Sequence, residues 1–212
     1  MKACPTRVLS VGLLTCALVL TGCSKDTTAS APPASAASSS ASTTPSGSSG
    51  SAGSSATPTT PTAEGDEVRS RSGAFTVVPP EGWTEATDKA KGVADIDLVL
   101  LSSKKVGDFA NNLVVTAADG DQSVLDDELA KGRKQLAAAG RTVSAAPDKT
   151  VAGVTAVGFT TAFEQQGIKV LARSYGVQRG GRIYLLTLSS SQADATHAMA
   201  EFDELLSTWA WT

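Results

Sequence analysis

All ten aromatic residues of this chain lie between Phe75 and Trp211. Apart from a short apolar run at the start, nothing before Phe75 can build a core, because cores rest on large aliphatic and aromatic side chains. The stretch "TTASAPPASAASSSASTTPSGSSGSAGSSATPTTPT" has no apolar period, no aromatic ring and no charge. Such a segment buries too little surface to offset its chain entropy. Residues 24–64 therefore read as a disordered tether of 41 residues, spanning about 35 Å as a flexible coil. Its Ser/Thr/Pro content suits O-glycosylation as well as a plain spacer. Folding is left to 65–212, 148 residues, enough for one core burying about 68–70% of its unfolded surface.

The apolar run has its own reading. Lys2 and Arg7 flank the start of "VLSVGLLTCALVL", the 13 residues 8–20. A mature bilayer span takes about 20 apolar residues, so this is a signal-peptide core. "LTGC" follows: Leu20, then the small Thr21 and Gly22, then Cys23. That order matches a bacterial lipobox. A lipobox implies cleavage between Gly22 and Cys23 and a diacylglyceryl group, with further palmitate-type acylation, on Cys23. An ordinary secretory signal with an incidental cysteine is the competing reading; position, spacing and apolar core together favour lipidation. The expected layout is a signal peptide over 1–22, the lipidated Cys23 with its tether over 23–64, and a globular domain over 65–212. Cys4 and Cys16 would leave with the signal peptide, so neither a disulfide nor a cysteine metal site is expected. Two acyl chains hold where one is marginal. The expected location is the extracytoplasmic face of the cell membrane, lipid-anchored.

Within the domain, strand and helix periods alternate. "AFTVV" (74–78) is strand-like and stops at Pro79 and Pro80, which cannot donate to a ladder. Gly82 then lets the chain turn and sends Trp83 back as a peg in the core. "DLVLLSS" (97–103) and "NNLVVTAA" (111–118) follow as strands, the first a continuous apolar run suited to burial on both faces. Leu125, Leu129, Gly132 and Leu136 fall at i, i+4, i+7 and i+11. They predict a helix with Ser123 as candidate N-cap and Gly140 as its stop. "VTAVGFTTAFE", "IKVLARSYGVQ" and "RIYLLTLSS" come next, separated by "QQG" and "RGG" turns. They predict an antiparallel meander. Both faces of the last strand are apolar, so each needs a covering layer. A final helix over about 192–209 offers Met199, Phe202, Leu206 and Trp209 as an apolar stripe. Strands, helix, strands, helix with antiparallel hairpins predicts an α+β domain.

Taken together, "LTGC" with a polar tether, a strand ending in "PPEGW", "FANNLVVTAA" before a helix, "VAGVTAVGFTTAFEQQGIKVLARSYGVQRGGRIYLLTLSSS" and a last helix with "FDELLSTW" resemble a family. It is that of the LpqN/LpqT-type lipoproteins of actinobacteria, which belong with the PsbP-like domains of Mog/PsbP-like fold. The resemblance covers 65–212 and rests on core and turn residues. It implies a central antiparallel β-sheet sandwiched by helices, an α/β/α arrangement, and a binding or accessory role. It carries over no catalytic motif, and this tether is unusually long for the family.

The residues themselves offer little chemistry. His197 is the one histidine, and a base on a helix needs a nucleophile and an orienting partner. No G-x-S-x-G occurs. Ser102, Ser103, Lys104 and Lys105 contain S-x-x-K without its companion motifs. "DGDQSVLDDE" has Val124 at the sixth position of a calcium loop and Ala130 at the twelfth, where glycine and glutamate are needed. Its acids favour a helix N-terminus instead. "RGGR" is better explained by a tight hairpin than by RNA binding. Of 18 basic residues, removing Lys2 and Arg7 leaves 16 against 21 acidic, a net charge of −5. No basic stripe appears, which argues against nucleic acid. No catalytic residue, metal site or cofactor is expected. The expected partners are the membrane, through Cys23, and an unidentified envelope protein.

Two functions fit. The first is a non-enzymatic envelope lipoprotein that binds a protein or supports an envelope complex. The second is a carrier or sensor of a lipid or other small apolar ligand, if Gly153, Gly158 and Gly176 leave room between layers; the same glycines suit a well-packed core, the reading they favour. Trp211 either covers a sheet edge or stands exposed for recognition.

Overall fold

The computed structural model describes residues 66–212; Gly22, Cys23, the signal peptide and the tether fall outside them. In chain order the first strands are β1 (Val68–Arg69), β2 (Phe75–Val77), β3 (Trp83–Glu85), β4 (Ile96–Val106) and β5 (Phe109–Asp119). A 3-10 turn at Thr87–Ala90 sits between β3 and β4. Helix α1 (Gln122–Ala138) follows, then β6 (Thr142–Ala145), β7 (Lys149–Val151), β8 (Val154–Gln165), β9 (Ile168–Arg179) and β10 (Arg182–Ser191). A second 3-10 turn, Gln192–Asp194, leads into α2 (Ala195–Ser207), and β11 (Ala210–Trp211) comes last.

The main sheet has eight antiparallel strands in the order β3-β4-β5-β10-β9-β8-β6, with β7 pairing β8. The predicted meander is its right half, β8 to β10. The predicted first strand is elsewhere. β2 joins β1 and β11 in a separate three-stranded sheet, because β11, a strand the sequence pattern does not announce, completes it from the far end of the domain.

Alternation along β10 sorts the layers. Ile183 and Leu185 cluster with Leu125, Leu129 and Leu136 of α1. Tyr184, Leu186 and Leu188 cluster with Ala198, Phe202, Leu205 and Leu206 of α2. Successive strand residues point to opposite faces, so the helices lie on opposite sides of the sheet and the domain is α+β. The apolar run of β4 divides likewise. Leu98 and Leu100 join the α2 side, while Val99 and Leu101 pack with Ala86 and Ala90 of the first 3-10 turn. On the α2 side Phe75 stacks on Trp209, ring centroids 4.0 Å apart.

Two helix boundaries correct the sequence reading. The N-cap of α1 is Asp121, not Ser123: its backbone is extended, and its Oδ1 accepts from Val124 N–H at 3.0 Å. Ser123 already lies inside the helix, where its hydroxyl cannot cap, whereas a carboxylate at the cap also favours the positive helix end. Gly140 does stop the helix. At φ +78° it lets Gly140 and Arg141 N–H reach the Ala137 and Leu136 carbonyls, a Schellman closure. The last helix is shorter than expected, since Gln192–Asp194 is 3-10 and Trp209 lies past its end. Met199 is only half-buried; Ala198 and Leu205 share the core face with Phe202 and Leu206.

Candidate functional site

Trp83 is buried and packs in the α2-side core, paired with Ser102 across β3 and β4. Trp211 is half-buried, and its indole N–H donates to the Val151 carbonyl at 3.3 Å. Trp83 is thus a peg, and Trp211 covers the edge of the small sheet.

Chain-distant titratable groups meet at one end of the α2 face. Alternation along β4 puts Leu98, Leu100, Ser102 and Lys104 towards α2. On α2, His197 and Glu201 are four apart and share a side. Lys104 Nζ lies 3.1 Å from His197 Nε2. His197 Nδ1 lies 3.3 Å from Glu201 Oε2, and Lys104 Nζ is 3.9 Å from Glu201 Oε1. Glu201 is buried; the other two are largely exposed. An ammonium can only donate, so in the Lys104 contact Nε2 is the acceptor, while the buried Glu201 Oε2 has no hydrogen-bond partner. Beside them Asn111 Nδ2 donates to Asp194 Oδ2 at 2.6 Å.

This arrangement orders an imidazole between an ammonium and a carboxylate. The Nε2 lone pair that would act as base is held by Lys104, and Ser102, the near hydroxyl on β4, receives the Lys104 backbone N–H instead. What the cluster does is fasten the start of α2 to the β4–β5 end of the sheet. The sequence reading singled out Lys104 and His197 separately and missed Asn111, Asp194 and Glu201. Lys104 and His197 lie 93 residues apart and Asn111 and Asp194 83, so no local spacing reveals those pairs; the i,i+4 spacing of His197 and Glu201 was the one available signal. Among the described residues no group of three or more His, Cys, Asp or Glu side chains could hold a metal ion. None of the helices there is long and apolar enough to cross a membrane.

Gly158 and Gly176 serve close packing, the favoured of their two readings. A Cβ on Gly158 would come within 2.4 Å of the Ser174 carbonyl and 2.6 Å of the Tyr175 ring. One on Gly176 would come within 2.6 Å of Leu125 Cδ1. Tyr175 fills the first notch and α1 the second, while Gly153 sits in the β7–β8 turn. A cavity of about 30 Å³ does lie between α1 and the sheet, lined by Thr116, Ala118, Leu125, Leu129, Ile183 and Leu185 among others. A water needs about 10–15 Å³, so this space admits a water or two and no acyl chain.

Burial raises the pKa of Tyr175 and of Tyr184 above the ordinary 10.0. For Tyr175 nearby Arg173 and Lys149 oppose the rise, and for Tyr184 Arg182 does. The folded protein therefore keeps both phenol protons to higher pH than the unfolded chain does. Their contribution to stability is fully present below about pH 10 and is lost as pH rises from there through the folded pKa values. A thermal midpoint that falls above pH 10 in step with tyrosinate absorbance is the expected result. Tyrosinate forming with an ordinary midpoint in the folded state would contradict it.

No protein-family model and no curated protein sequence matches the chain. Solved structures do. A crystal structure from Bacteroides thetaiotaomicron matches with TM-score 0.50 and 14% identity over 70% of this chain and 49% of its own. The chain thus spans about half of that protein's length. LpqN of Mycobacterium tuberculosis, described as involved in cell envelope biogenesis, gives TM-score 0.49 and 11% identity over 74% and 90% of the two chains. The cyanobacterial PsbP of Synechocystis gives 0.48 and 14% over 69% and 92%. At these identities the likeness to the Bacteroides structure is one of fold: an antiparallel sheet carrying helices, in the α+β class.

Proposed function

We propose that this chain is an envelope lipoprotein of LpqN/LpqT type, held at the extracytoplasmic face by lipid on Cys23. Its folded domain, of Mog/PsbP-like α/β/α design, is a non-enzymatic module that binds a protein or supports an envelope complex. The reading is carried by one combination: a lipobox cysteine set 41 residues of polar tether ahead of the domain, whose glycine notches are filled by its own side chains. A filled interior leaves the surface as the working part. The occupied imidazole of His197 supports the non-enzymatic role.

Metabolic labelling with an alkyne palmitate in an actinobacterial host tests the anchor. The chain should label and sediment with membranes, and Cys23→Ala should do neither. An unlabelled native chain overturns the anchor. For the domain, native mass spectrometry of the Cys23→Ala chain distinguishes the two functions. A stoichiometric lipid would favour the carrier; a bare chain that still crosslinks to a defined envelope protein supports the module.

A further inference from the structure

Arg179 and Arg182 end β9 and begin β10 as directly opposed residues, joined by Gly180 and Gly181 at φ +60° and +77°. Two consecutive positive φ values make the tightest kind of hairpin turn. Opposed residues leave the same face about 5 Å apart, and like charges in that position destabilise a hairpin. Among the described residues only Asp119, directly opposite Arg182 on β5, relieves the conflict, and weakly. Arg182 Nε is 3.8 Å from Asp119 Oδ1, beyond hydrogen-bond length, and that carboxylate is 95% exposed. The same Nε is buried without a hydrogen-bond partner. Among the described residues no carboxylate pairs with Arg179. Asp97, the other acid near this end, is engaged with the Ser72 N–H and hydroxyl.

Both guanidiniums are nevertheless held in place. Arg179 lies over the Trp211 ring at 5.5 Å and Arg182 over the Tyr184 ring at 5.9 Å. Those rings are themselves 5.1 Å apart. Cation–π contact orients a guanidinium without neutralising it. The result is a pair of planar donor forks at opposed positions of one turn, Arg179 without a carboxylate among the described residues and Arg182 with only the exposed Asp119.

We infer that the β9–β10 turn is a binding site for a phosphate group, with Arg179 and Arg182 forking one dianion. Each fork bonds two oxygens of a phosphate. A carboxylate would neutralise only one of the two charges. The half-buried face of Trp211 lies beside the forks for whatever body carries the phosphate. The site stands whether or not Cys23 is lipidated, so it is separable from the anchor.

The test is thermal unfolding of the purified full chain titrated with inorganic phosphate, with chloride holding ionic strength constant. The native chain should show a saturable rise in Tm. The double variant Arg179→Gln/Arg182→Gln should show no rise, yet be at least as stable as the native chain without phosphate, because the like-charge conflict is gone. Arg179→Lys/Arg182→Lys should keep the charge and lose about tenfold in affinity, since an ammonium cannot fork. Flotation of the Cys23→Ala chain with phosphatidic acid vesicles, against phosphatidylcholine alone, separates sources. Arginine-dependent flotation assigns a lipid-borne phosphate; a phosphate response without flotation assigns a soluble one. An equal Tm rise in native chain and glutamine variant overturns the site, as does no rise beyond chloride. A glutamine variant less stable without phosphate also overturns it, by making the arginines structural.

Discussion

Replacing Tyr175 by alanine should lower stability by about 3–5 kcal/mol, as for a large buried aromatic. That is a large share of the roughly 5–15 kcal/mol that holds a domain folded. The ring is 2% exposed and lies in the notch left by the missing side chain of Gly158. Its centroid is 5.9 Å from that of Phe202 on α2, and its hydroxyl donates to the Pro147 carbonyl at 3.0 Å. One side chain thus joins the sheet, the helix and the segment between β6 and β7. No neighbour can fill the space, because Gly158 has nothing to extend into it. Tyr175→Phe should cost about 1 kcal/mol, the share of the hydroxyl bond. The check is the urea midpoint at unchanged slope; an alanine variant within 1 kcal/mol of native, by the same size rule, would show the notch collapses freely.

Gly176→Ala should also destabilise, by about 1–3 kcal/mol, through overpacking. The added methyl would sit 2.6 Å from Leu125 Cδ1 and 3.1 Å from Leu129 Cδ1. Either α1 lifts from β9 or both leucines leave their rotamers. The mechanism has a signature that simple destabilisation lacks. In a double-mutant cycle with Leu125→Ala the two losses should overlap, with a coupling of about 0.5–3 kcal/mol in favour of the double variant. Strict additivity would place the strain elsewhere.

The fold was legible where one periodicity dominated. Leu125, Leu129, Gly132 and Leu136 are all buried on α1, and the two glycine-bearing turns bound the β8 to β10 meander. Apolar residues on both faces of β10 told correctly of a layer on each side. What escaped was set by distance in the chain. β11 is two residues long and pairs with β2 through Ala210 with Thr76 and Trp211 with Phe75; no local pattern encodes that. The same holds for the Lys104 contact of Glu201, which forms only when β4 arrives; its pairing with His197 is local to α2. For Gly158 and Gly176 both space and close packing stayed open, because a sequence shows which side chain is missing, not which neighbour takes its place. Arg179 and Arg182 were visible only as the ends of a turn; their conflict depends on register.

The small sheet has a mechanical consequence. β1 pairs only with β2, through Val68 with Val77 and Arg69 with Thr76, and β11 pairs with the other edge of β2. Any load arriving from residues before 66 reaches β1 first. Because β1 runs antiparallel to β2, such a load strips its contacts one after another, yielding about 3.4 Å of slack per residue freed. β2 itself stays clamped, by β11 and by Thr208 Oγ1, which accepts the Val78 N–H at 3.0 Å while its own proton faces the Leu205 carbonyl at 2.8 Å. The domain therefore gives a little at β1, where the half-buried Val68 packs against the core, before β2 is loaded, like a seam with a few loose stitches ahead of the lock.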